Sequence, residues 1–89
     1  MSRHVRLRFA EARAAIEDLG VVAYGNLVRR SPEGQRAMAR WTMAERRMDR
    51  AARCGRRHRA QHYSRQASRW WMRTERALAV THWGGRRLS

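Results

Sequence analysis

The chain contains no lysine, one cysteine, one proline and only seven acidic residues in 89 positions. Each scarcity excludes something. A lone cysteine, Cys54, cannot form an internal disulfide. No hydrophobic run is long enough to span a bilayer and nothing reads as a secretory signal, so a soluble, cytoplasmic protein with no membrane partner is expected. Internal repeats and low-complexity linkers are missing as well, which points to a single small basic helical domain over residues 1–89. A chain of this size supports one modest core and no cleft between two domains, and that argues against an enzyme.

With so few acids the formal net charge is +14, and with lysine absent all 21 basic residues are arginine. A GC-rich coding sequence favours arginine without any selection for binding. Arginine is also the stronger phosphate and carboxylate ligand, because its planar fork makes bidentate hydrogen bonds and stacks on aromatic rings. The size of the imbalance matters more than either cause. Unpaired positive charges in this number repel one another and favour association with a polyanion. Residues 1–20 carry four arginines against three acids, residues 21–53 eight against three, and residues 54–89 nine against one. An anionic partner is therefore expected on the C-terminal part. Hydrophobic residues make up 43% of the chain and four are tryptophan, which is enough apolar surface to fold a domain despite the charge.

The clearest start signal is RSPEGQRAM, with Ser31 as N-cap, Pro32 at the first helical position and Glu33 facing the positive helix end. Ala37, Trp41, Ala44, Met48 and Ala51 then recur at steps of four and three, which is one helical face, widened by Met38 and Ala52. Arg36, Arg46, Arg47, Arg50 and Arg53 fall on the opposite side. Gly55 ends this helix and GRRHR makes the connection. In the next segment Tyr63, Ala67, Trp70, Trp71, Thr74, Ala77, Leu78 and Thr81 gather on one side. On the other, Arg65, Arg69, Arg73 and Arg76 form a stripe that His62 and His58 extend backward. Two amphipathic helices joined by a short glycine turn pack as an antiparallel hairpin. Upstream, Val5, Phe9, Ala12, Ile16 and Leu19 share a helical face, although Val5, Leu7 and Phe9 also alternate as a strand would. VVAYGNLVRR reads as a short helix or ordered connection covering the hairpin. The expected fold is all-α: a small helical bundle built on a long antiparallel helix hairpin, about 32–54 and 58–82, with an N-terminal helical segment.

Cys54, His58 and His62 are spaced four apart, which on an unbroken helix would set three zinc ligands on one face. Gly55 breaks that helix, and Arg56, Arg57 and Arg59 oppose a cation, so neither metal nor cofactor is expected. The same thiol and histidine lack an orienting acid and an oxyanion loop, and no catalytic residue is assigned. The arginine stripe is the stronger signal. From Arg65 to Arg76 it spans about 16 Å at the α-helical rise, far enough for several guanidinium groups to meet successive phosphates. Arg56, Arg57, Arg59 and His62 add contacts near the turn. Trp70 and Trp71 point about 100° apart, so both can be only partly buried in one interface, with one toward the core and the other at its rim, where it would stack a base or anchor a partner. Met38, Met43, Met48 and Met72 read first as core filler, and Met43, off the main face, as a contact residue.

The opening HVRLRFAEARAAIEDLG resembles the start of a ribbon-helix-helix repressor. That resemblance implies a short strand whose His4, Arg6 and Arg8 face the DNA major groove. The chain departs from the pattern after Gly20, where Gly25 interrupts the run and a fresh helix starts at Ser31. Taken together, the residues point to a non-catalytic protein that binds nucleic acid, DNA or RNA, through the arginine face of its last helix. The alternative is a small inhibitor or adaptor of phage or mobile-element type. It would set the same arginines on an acidic surface of a protein partner such as a nucleic-acid-processing or CRISPR effector complex. A homodimer that buries apolar faces and turns the arginine stripes outward is compatible with either. If four arginines each neutralise one phosphate of duplex DNA, log affinity falls against log salt with a slope of about −3.6.

Overall fold

The computed structural model describes residues 8–84, which form four helices: α1 Phe9–Glu17, α2 Val21–Arg29, α3 Pro32–Arg53 and α4 Arg57–His82. Among the described residues there is no strand, so the fold is all-α, and the long hairpin departs from its expected limits by one residue at each inner end. His4, Val5, Arg6 and Leu7, on which the strand alternative and most of the repressor-like reading rest, lie outside the described residues. Arg8 has extended backbone and its carbonyl accepts the Ala12 N–H at 3.0 Å, as the residue just before a helix does. One expectation is overturned. Gly25 does not interrupt the chain: α2 begins directly after Gly20 and runs through it, because the buried Leu27 and half-buried Tyr24 and Val28 hold this short helix to the core.

The start of α3 follows its cap chemistry. Ser31 Oγ accepts the Gly34 N–H at 3.1 Å, and Pro32 stands where an N–H would have no intrahelical acceptor. Gln35 reaches back and donates from Nε2 to the carbonyls of Val28 at 2.9 Å and Arg29 at 3.3 Å, closing the open end of α2. At the far end of α3, Arg56 N–H bonds Ala51 O at 2.9 Å and Gly55 N–H bonds Ala52 O at 3.1 Å, with Gly55 at φ +71. This is a Schellman motif, and it needs a residue free to adopt a left-handed backbone. Only Cys54, Gly55 and Arg56 separate the two long helices, so α4 turns straight back along α3.

Small residues set the seam between them. Ala37, Ala44 and Ala51 on α3 recur every seven residues, as do Ala60, Ala67 and Thr74 on α4. All six are buried except Ala60, which is half-buried. A seven-residue period keeps one face turned to its partner along a gently supercoiled pair, and alanine lets the axes approach near the short end of about 8–10 Å. Thr74 is 0% exposed, and its hydroxyl donates to Trp70 O at 2.8 Å so that only its methyl packs.

The core proper sits at the base of the hairpin. Ala12 and Ile16 of α1, Leu27 of α2, and Leu78 and Ala79 of α4 form it, with Leu19, Tyr24, Val28 and Trp83 packed against it. Residues 52–59 at the other end are all exposed, so the turn projects from a molecule of 55 × 27 × 21 Å. Among the described residues no helix is long and apolar enough to cross a membrane.

Candidate nucleic-acid interface

Because α3 and α4 meet through alanines, larger side chains beside the seam stand up as walls. On one flank they enclose a groove of two adjoining hollows, of 540 and 380 Å³, that share Arg40, Trp70 and Arg73. Arg36, Arg40 and Arg47 wall it from α3, and Arg69, Arg73 and Arg76 from α4. Ala37, Ala44, Trp70 and Ala77 make the floor, with Val80 and Met43 toward its two ends. From Arg36 to Arg47 the wall runs about 16 Å at the helical rise. Glu33, in the first turn of α3, is the acid at its edge.

Trp70 organises the cations. The Arg73 guanidinium carbon lies 4.7 Å from its ring centroid, and that of Arg40, arriving from the other helix, 5.8 Å. Each contact contributes about 0.5–1 kcal/mol at an exposed site and restrains a side chain that would otherwise sample many rotamers. A guanidinium stacked on an indole keeps its N–H edges free for an anion. Arg76 is anchored similarly, 5.8 Å from the Phe9 ring of α1. Both ion pairs among the described residues belong to Arg13, so neither neutralises a groove arginine.

The opposite flank differs in kind. There Trp41 and Trp71 stack at 4.8 Å with their planes tilted by 47°, beside Met48, Met72, Ser64, Ser68 and Glu45. Arg13 bridges from α1 to Glu75 of α4 at 3.1 Å and also pairs with Glu17 at 3.2 Å. The Glu75 side chain is only 6% exposed. Burial pushes its carboxyl above the ordinary glutamate range, Arg13 pulls it back down, and the negative charge of Glu17 adds to the rise.

Several residues singled out in the sequence come together here and others do not. Arg69, Arg73, Arg76 and Trp70 lie in the groove. Arg65 stands one turn farther along α4, its Nε 3.4 Å from Gln61 O. His62 pairs with Gln66 at 3.2 Å and meets the Tyr63 ring edge-on. Arg56, Arg57 and Arg59 are exposed at the first turn of α4, which has neither a side-chain cap nor an acid, so they face the unfavourable positive end of that helix. The expected division of the tryptophans does not occur. Both are half-buried, as their divergence requires, but neither is the core member: Trp70 goes to the arginine flank and Trp71 to the other. Met72, at 56% exposure, is not core filler either, whereas Met43 at 48% is exposed, as its place off the main face suggests.

Sequence reasoning missed Arg36, Arg40 and Arg47 as partners of the α4 stripe. A usable signal was present: Arg40 and Arg47 are seven apart, in step with the alanine seam, and so border it on one side. Cys54 is exposed, and no group of three or more His, Cys, Asp or Glu among the described residues is placed to hold a metal ion. No protein-family model, curated protein or solved structure matches the chain, so the resemblance to ribbon-helix-helix repressors gains no support from them.

Proposed function

We propose that this protein binds nucleic acid without catalysis, and that the arginine-walled groove between α3 and α4 is its contact surface. One observation carries the reading. Six exposed arginines, three from each helix, converge on one groove, and none of them is ion-paired to a carboxylate among the described residues. Such an arrangement costs free energy through mutual repulsion in the unbound protein, and a row of phosphates removes that cost while releasing counterions. Arg65 and the turn arginines Arg56, Arg57 and Arg59 extend the positive surface along the same arm.

Counterion release makes the proposal measurable. With six phosphates neutralised, a plot of log affinity against log salt has a slope of about −4 on a single strand and about −5 on a duplex. Fluorescence anisotropy of labelled random-sequence oligonucleotides over a salt series reads that slope. A slope near zero contradicts the proposal. So does recovery of the protein at fixed stoichiometry with one acidic protein after nuclease treatment, which is the outcome an inhibitor or adaptor would give.

A further inference from the structure

Resting on that reading, we infer that the occupant of the groove is a single strand, one base of which lies against the exposed part of Trp70 while neighbouring phosphates meet Arg40 and Arg73. The walls alone do not discriminate, since any polyanion satisfies arginine. The floor does. Between the two arginine rows it presents the outer part of the half-buried Trp70 ring beside Ala37 and Ala77, and it ends in Val80, which is 39% exposed.

A duplex keeps its bases paired and stacked inside and offers phosphate and sugar outside. Seated on this groove it would satisfy the arginines but leave the apolar floor facing a hydrated, charged surface, with nothing gained from Trp70. A single strand carries both kinds of group at alternating positions along the chain. Its phosphates can rise to the walls while an unpaired base drops to the floor, and every base has a π-face to stack. The Arg40 and Arg73 guanidinium groups already mark the two approaches to that ring, one from each helix. A base that reaches the ring displaces the Arg73 guanidinium from over it or stacks on that guanidinium in turn, and the N–H edges of both arginines bond the phosphates on either side.

The experiment compares the full chain on a single-stranded oligonucleotide and on the blunt duplex of the same sequence, at one salt concentration, with the variants Trp70→Leu and Trp71→Leu. The expected result is tighter binding to the single strand, with Trp70→Leu losing about tenfold on it, a factor in keeping with one stacked base, and distinctly less on the duplex, where only the restraint on Arg40 and Arg73 is lost. Trp71→Leu, an equal change on the opposite flank, should leave both affinities unaltered, and circular dichroism melts establish that both variants fold. Should Trp70→Leu fail to fold, wild-type preference and protection of tryptophan fluorescence from acrylamide by the single strand alone carry the test. Equal or tighter binding of the duplex overturns the single-strand inference and leaves the groove standing as a phosphate site. Binding of neither form overturns the groove reading itself.

Discussion

Gly34 shows at the level of one residue how this fold ranks its forces. A Cβ there would lie 2.8 Å from Ser31 Oγ and 2.9 Å from Leu78 Cδ2. Neither neighbour has room to yield, since Ser31 caps α3 and Leu78 is 0% exposed in the core. Helix propensity alone would favour alanine over glycine by about 1 kcal/mol. The steric cost is larger, and Gly34→Ala is expected to lose about 1–3 kcal/mol net, read as a lower urea midpoint at unchanged m. Gly25 supplies the control, because nothing lies within 4 Å of a Cβ there. Gly25→Ala should raise the midpoint, by at most about 1 kcal/mol. If both substitutions stabilise, the cap and Leu78 do not constrain this position as described.

Between elements, the contact that departs from simple amphipathicity is the Arg13–Glu75 bridge that ties α1 to α4. Glu75 is the one acid among nine arginines in residues 54–89, and its buried position follows from where α1 docks rather than from the pattern of α4 itself. Its carboxyl is raised in the folded chain, chiefly by burial. A raised carboxyl contributes stability that is fully present below the unfolded glutamate value and is lost as pH climbs through the folded one. Glu75→Gln removes that dependence and leaves an acceptor for Arg13. The stability difference, variant minus wild type, is therefore expected to grow as pH rises from about 4 toward neutrality. Arg13→Ala removes the contribution that pulls the carboxyl down, and should deepen the wild-type loss over the same window. A difference that shrinks with rising pH would reverse the sign assigned to Glu75.

The helical elements were legible where local chemistry settles them, and the docking was not. Ser31, Pro32 and Glu33 fix one end of α3, and Gly55 the other, through groups within a few residues of each other. The alternating steps of α3 and α4 separate inside from outside. They do not say which flank of the seam a bordering side chain takes, because that depends on the rotation of one helix against the other. For this reason Arg36 and Arg47 read as belonging to an outer face and turned out to wall a groove with Arg73. Trp70 and Trp71 misled in the same way, since each borders the seam on a different side.

At the scale of the whole molecule the arginines are distributed with a bias. One flank of the hairpin gathers six around Trp70, and the other holds Trp41 and Trp71 with Glu45, Glu75 and a single arginine, Arg13, already paired. Net charge alone would attract a polyanion to any surface. The proposed site rests on something narrower: convergence in the groove, rather than the total of +14, would be what binds. Two double charge reversals with the same change in net charge separate these ideas. Arg40→Glu with Arg73→Glu alters the groove, and Arg56→Glu with Arg57→Glu alters the projecting turn, where both residues are exposed. Single-strand affinity measured for both at one salt concentration is the most direct test. The groove variant is expected to lose at least about tenfold more affinity than the turn variant, the equivalent of about 1.4 kcal/mol. Equal losses from the two variants would contradict the claim and assign the binding to overall charge.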